Sequence, residues 1–177
     1  CDIIKVRKAP LLEAKVIGPF SKSLKSIEDN LVLRAARYVQ DKMGITSGAE
    51  IILEKHLPVA SGVGGGSSDA AATIKALCRL WGVDEDRFSN SDLSQRLGAD
   101  LPICFLGKPS FVEGTGERLT NTYTLPKAPI ILVNPGYKAL TSEVFRAWDG
   151  QFKEREGKPK VPNTLSDLIN FLNSGYE

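Results

Sequence analysis

The sequence has few of the groups that bind metals or cross-link chains. There is one histidine, His56, and there are three cysteines, Cys1, Cys78 and Cys104, set far apart in 177 residues. They show no metal-ligand spacing. An odd, sparse set of thiols argues against a disulfide scaffold and points to reduced thiols in a cytoplasmic protein. No apolar run is long enough to span a bilayer, and no charged-then-apolar leader opens the chain, so no membrane association is expected. Charge of one sign is missing too: 23 Lys and Arg against 21 Asp and Glu leave a formal +2. That excess is too mild for a protein that lives on nucleic acid. Internal repeats and low-complexity tracts are absent. So is an initiator methionine, and the last residues follow a helical pattern with no finishing element. A piece of a longer protein is therefore expected.

What remains is ordinary globular composition, 42% hydrophobic and 25% charged. Asp2 to Arg7 alternates apolar and polar residues like a strand, and Glu13 to Ile17 repeats the signal. After a loop from Gly18 to Lys25, Asp29 or Asn30 can cap a helix that runs to Met43 and ends at Gly44. Ala49 to Leu53 reads as a short apolar strand closed by Pro58. A nearly all-apolar helix is expected from Ser68 through Leu80, another from Asn90 to Leu97, and a strand at Ser110 to Glu113. Pro126 to Pro129 resembles a boundary. Beyond it a strand is expected at Ile130 to Val133, helices at Thr141 to Trp148 and Leu165 to Leu172, and a charged loop from Glu154 to Pro162 between them. Strands and helices mix without strict alternation, which favours α+β.

The most informative segment is Pro58-Val59-Ala60-Ser61-Gly62-Val63-Gly64-Gly65-Gly66-Ser67-Ser68. Its glycines remove Cβ atoms where backbone must approach something closely, at an entropic cost that stability alone would not favour. The helix that follows offers unpaired N–H groups and a partial positive charge, which suits phosphate. Ser67 and Ser68 can cap that helix or reach a phosphate-bound magnesium ion. A flexible loop with a serine cap is the plain alternative, but connectors between packed elements seldom need so many glycines. No Gly-Lys-Ser/Thr closes the loop, so it is not a Walker A sequence. A dinucleotide fingerprint fits badly, because Ser67 stands at the third glycine position. A protein-kinase loop would be followed by a strand.

The run from Leu57 to Ala71 resembles the second motif of the GHMP kinases, small-molecule kinases that include those for galactose, homoserine and mevalonate. Three features are similar to the 4-diphosphocytidyl-2-C-methyl-D-erythritol kinases within that superfamily. These are Glu28-Asp29-Asn30-Leu31-Val32, the glycine loop, and Leu97-Gly98-Ala99-Asp100-Leu101-Pro102. Phe111-Val112-Glu113-Gly114-Thr115-Gly116-Glu117 and Asn134-Pro135-Gly136 continue the match in order. The resemblance implies a ribosomal protein S5 domain 2-like two-layer domain over residues 1–125. The start of a ferredoxin-like GHMP kinase C-terminal domain would follow over residues 126–177. It also implies ATP and Mg2+ as cofactors, with metal ligands unassigned. The partner would be a small-molecule substrate, a cytidyl diphosphate methylerythritol, with neither nucleic acid nor membrane, and the enzyme a monomer or homodimer.

Carried over residue by residue, Asp100 falls at the catalytic aspartate, although an Asp before Leu-Pro is commonly just a turn or cap. Asn30 faces the adenine or caps its helix. Pro58 to Ser68 carries the phosphates, and Lys55 meets a phosphate or stays solvated at a strand end. Thr141 and Phe145 meet the substrate, Phe145 by stacking on cytosine, unless it is a core residue. His56 matches no functional role. The chain departs from the family pattern in three ways. The first motif, with the lysine that pairs with the aspartate and an Asp-Gly-Tyr-His segment, does not occur. The closing glycine-rich motif is absent. Ala60-Ser61 stand where two glycines are usual, and Ser61 there would add a phosphate contact. Catalytic inactivity of these 177 residues on their own is the expectation. Another GHMP kinase, or a non-catalytic nucleotide-binding relative, stays open.

Overall fold

A computed structural model describes residues 1–24, 30–121, 124–133, 141–148, 150 and 161–173. Glu28-Asp29, Asn134-Pro135-Gly136 and residues 154–160 of the expected loop lie outside them. Three strands form one sheet: β1 (Ile3–Ala9), β2 (Glu13–Ile17) and β3 (Gly48–Glu54). β3 is central, antiparallel to β1 and parallel to β2, with Ile51 opposite both Val6 and Ala14. Alternation sends Ala49, Ile51 and Leu53 inward, where they meet Val32 and Ala36 of α1 (Leu31–Met43) and Leu77 of α2 (Gly65–Trp81). On the other face Glu50, only 3% exposed, is held by Arg7 and by Lys15 at 2.6 Å.

α2 is the hinge of the packing, since its far side serves a second cluster. Ala70, Ala71, Ile74 and Cys78 pack there with Ala35 and Val39 of α1 and with Leu93, Leu97 and Leu101. The last three come from α3 (Asn90–Leu97) and α4 (Leu101–Leu106). Alanines on both α1 and α2 let the helix backbones approach closely. A hairpin of β4 (Ser110–Glu113) and β5 (Arg118–Asn121) follows, then α5 (Thr141–Ala147) and α6 (Leu165–Asn173). The architecture is α+β, a sheet covered on one face by helices.

Two expectations fail, and one strand was not expected. α2 starts at Gly65, not Ser68, because Gly64 takes the left-handed conformation (φ 68°) and turns the chain into the helix inside the glycine run. Ile130 to Val133 is not a strand. Its side chains are 70–89% exposed, and no described strand offers the ladder that would define one. β5 was not foreseen, although Glu113 and Arg118 flank a turn with two glycines.

Candidate active site

The helix entries that sequence pattern specifies also build the site. Asn30 caps α1: its Oδ1 accepts from the Val32 N–H at 2.9 Å. That leaves its amide nitrogen with no hydrogen bond among the described residues, so capping and ligand recognition are compatible at this one side chain. The glycine loop runs from Pro58 into the first turn of α2. Ser68 N–H is the first to bond back, to the Gly64 carbonyl at 3.0 Å. By helix geometry the N–H groups of Gly65, Gly66 and Ser67 have no partner within α2.

Two glycines of the run differ in what the fold demands of them. Gly64 needs its positive φ to start the helix. Gly66 has no such conformation, and a Cβ built there meets nothing within 4 Å. Neither backbone nor packing requires glycine at 66, where alanine would favour the helix.

These elements close around a cavity of about 860 Å³. Its wall includes Asn30, Lys55, Asp69, the whole run from Pro58 to Ser67, and Asp100 at the start of α4. Leu24, Leu31 and Leu53 are apolar members of the lining, and so is Val144 of α5. Asp100 is exposed and makes no cap hydrogen bond to α4. The commonplace role for an aspartate before Leu-Pro therefore does not occupy its carboxylate. Ser67 faces the cavity, but Ser68 does not: its hydroxyl donates to Cys104 Sγ at 3.6 Å. Ser61 lines the wall, yet its hydroxyl proton goes to the Pro58 carbonyl at 2.8 Å, bracing the loop. Thr141 and Phe145 lie on α5, and their side chains are outside the described residues. His56 pairs with Glu54 at 3.0 Å on the strand surface.

Lys55 is not the solvated lysine that strand ends usually carry. It is 4% exposed and donates to Asp69 at 2.9 Å and to Asp2. Asp2 in turn accepts from the N–H groups of His56 at 2.6 Å and Leu57 at 2.8 Å. Burial works against charge on Lys55, but the two carboxylates outweigh it and raise its pKa. One cation serves two acids, and the acids divide accordingly. Burial pushes Asp69 upward beyond what Lys55 can offset. Asp2 feels burial too, yet Lys55 and the two N–H groups hold it below the usual carboxylate range. With its charge taken up, Lys55 ties the start of β1 and the entrance of the glycine loop to α2. The positive end of the cavity is then the α2 N-terminus. Sequence reasoning missed Asp2 and Asp69. An acidic residue on an otherwise apolar helix, as Asp69 is, was the available sign of a buried partner.

Among the described residues no three acidic, histidine or cysteine side chains gather as a metal site. None of their helices is long and apolar enough to cross a membrane.

The family model for the GHMP kinases N terminal domain matches residues 30–108. The chain is 41% identical over 174 residues to 4-diphosphocytidyl-2-C-methyl-D-erythritol kinase of Parvibaculum lavamentivorans, covering 97% of this chain and 60% of that one. The kinase of the same name from Rhodospirillum rubrum is 42% identical over 161 residues, with 91% of this chain and 53% of the relative covered. The chain thus spans little more than half the length of these relatives. A crystal structure of 4-(cytidine 5'-diphospho)-2C-methyl-D-erythritol kinase superposes with a TM-score of 0.58 at 31% identity, over 82% of this chain and 50% of that one. Homoserine kinase from Cytophaga hutchinsonii, at TM-score 0.56 and 18% identity over 86% and 52%, shares the fold.

Proposed function

We propose, from the match of residues 30–108 to the GHMP kinases N terminal domain, that the protein is an ATP-dependent kinase of that family acting on the 2-hydroxyl of 4-diphosphocytidyl-2-C-methyl-D-erythritol. The observation that carries the kinase reading is that one cavity is lined both by the glycine loop and by Asp100. The acceptor rests on the names of relatives about 40% identical to the chain.

In this reading the adenine lies by the apolar Leu24 and Leu31, with the Asn30 amide at its edge. The phosphates rest on the N–H groups of Gly65, Gly66 and Ser67. Asp100 takes the proton of the acceptor hydroxyl as its oxygen bonds to the γ-phosphorus and the bond to ADP breaks. Bound magnesium would neutralise phosphate charge. The Ser67 hydroxyl is an oxygen donor that fits it, since such sites take one or two protein ligands beside the phosphates. A second domain starts near residue 126 and brings Thr141 and Phe145 of α5 to the substrate, which Val144 in the cavity lining supports. Three free thiols and the need for ATP fit a bacterial cytoplasm.

The test is ADP release by the full-length polypeptide with ATP, magnesium and the cytidyl substrate, beside galactose, homoserine and mevalonate. Turnover is expected on the first substrate alone, and none from the 177-residue chain by itself. Asp100→Asn should cut turnover about 100- to 10,000-fold and leave ATP binding intact. Undiminished turnover by Asp100→Asn would refute its assignment as the base.

A further inference from the structure

The hairpin motif from Phe111 to Glu117 has no part in the cavity wall, yet its tip touches the residue next to Asp100. β4 and β5 are joined by Gly114-Thr115-Gly116-Glu117. Gly116 is buried while Gly114 and Thr115 are exposed, so this turn points inward at one glycine. A Cβ on Gly116 would collide with the Ala99 carbonyl oxygen and lie 2.7 Å from the carbonyl carbon. That carbonyl belongs to the peptide that leads into Asp100. The contact is backbone on backbone, which no side-chain rotation can relieve.

The tip is held in place from both sides. The buried hydroxyl of Ser94 on α3 donates to the Thr115 carbonyl. The Glu117 carboxylate accepts from Thr115 N–H at 2.6 Å and from its hydroxyl at 2.8 Å. Opposite the tip, Leu101 and Pro102 are fully buried in the core. The Leu101 N–H bonds to the Gly98 carbonyl at 3.0 Å, so the Gly98–Asp100 linker is a tight turn. Asp100 therefore emerges from a backbone clamped between the hydrophobic core and the hairpin tip.

We propose that the Gly114–Glu117 turn is a positioning element for Asp100, with Gly116 backing the Ala99–Asp100 peptide so that the carboxylate projects into the cavity that the glycine loop lines. This deepens the kinase reading and rests on it. In that reading the loop carries the nucleotide and Asp100 meets the acceptor, so the hairpin acts on the acceptor side of the reaction and leaves nucleotide binding alone.

The experiment compares Gly116→Ala, Ser94→Ala, Asp100→Asn and the Gly116→Ala/Asp100→Asn double variant in the full-length polypeptide. Gly116→Ala should lower kcat about 10- to 100-fold, as a misplacement of about an ångström does. The dissociation constant for ATP should stay within about twofold, because an interaction confined to the acceptor side does not touch nucleotide binding. Ser94→Ala should lower kcat in the same direction by a smaller factor, and it decides the matter alone if Gly116→Ala does not fold. In the Asp100→Asn background Gly116→Ala should cause no further loss, since residues acting through one another are not additive. Wild-type kcat in a folded Gly116→Ala variant overturns the proposal. So does a fall in kcat matched by a fall in ATP affinity, which would mark a general structural role. If Asp100→Asn keeps full turnover, the kinase assignment of Asp100 fails and this inference with it. If Asp100→Asn is inactive while Gly116→Ala is not impaired, the inference alone fails.

Discussion

Replacing Lys55 by alanine tests whether the lysine braces the fold or serves a ligand. Its ammonium, Asp2 and Asp69 are 3–7% exposed, and the change leaves two carboxylates facing each other without a cation. Removing one member of a buried ion pair costs about 3–5 kcal/mol, because the surviving charge stays desolvated. With a urea dependence of about 2 kcal/mol per molar for a domain of this size, the denaturation midpoint should fall by about 1.5–2.5 M. The loss should depend on pH with a definite sign. Without Lys55, Asp69 has a folded pKa raised above its unfolded value, by burial first and by Asp2 second. Such a group stabilises the fold below the unfolded pKa and loses that contribution as pH rises through the folded one. The variant's deficit should therefore be smaller near pH 4 than near neutrality. Asp69→Asn placed on top of Lys55→Ala should restore part of the midpoint, since it removes one of the stranded charges. A midpoint shift below about 0.5 M, with weakened ATP binding, would refute the brace and leave Lys55 the role of a phosphate ligand.

Gly66→Ala should leave the apo fold as stable or raise it by about 0.5–1 kcal/mol, while the added methyl weakens ATP binding. Thermal shifts with and without ATP separate the two effects. Ala60 has φ 57°, a left-handed conformation that costs a non-glycine residue about 1–2 kcal/mol. Ala60→Gly relieves that strain against a smaller entropic loss, so chemical denaturation should show a gain of up to about 1 kcal/mol. Hydrogen bonds from Arg7 first and Lys15 second depress Glu50 from 4.5 to about 2. A depressed carboxylate contributes stability above its unfolded pKa and loses it as pH falls through the folded value. Acid titration of stability should show that loss between 4.5 and about 2, and Glu50→Gln should flatten it.

What the sequence disclosed follows from how local each cause is. Asn30 and the Gly64–Gly66 run could be read because a cap and a left-handed turn are specified within a few residues. The burial of Lys55 could not be read because its partners come from other elements, 53 and 14 positions away, with nothing periodic to link them. The helix start was misplaced by three residues for a related reason. Glycine is a poor helix former, and only the burial of Ala70 and Ala71 against α1 and α3 makes helix the better state from Gly65 onward. Ile130 to Val133 erred the other way. Apolar β-branched residues favour a strand only when another strand pairs with them, and propensity cannot supply the partner.

The departure at Ala60-Ser61 shows how a substitution in the glycine loop can be tolerated without being neutral. Small size alone, the argument available from sequence, explains only that the loop closes. The structure adds that Ala60 still adopts the left-handed conformation a glycine would take, and so carries strain. Ser61 answers part of that cost from within the loop, because its hydroxyl ties back to the Pro58 carbonyl and closes the turn around Ala60. The pair thus exchanges the freedom of two glycines for one strained residue and one internal hydrogen bond. Fewer conformations remain to be frozen when a phosphate arrives, since a preorganised loop loses less entropy on binding. Ala60→Gly should then stabilise the free fold and weaken ATP binding together. A variant that gained stability with no loss of ATP affinity would show that preorganisation plays no part in the loop.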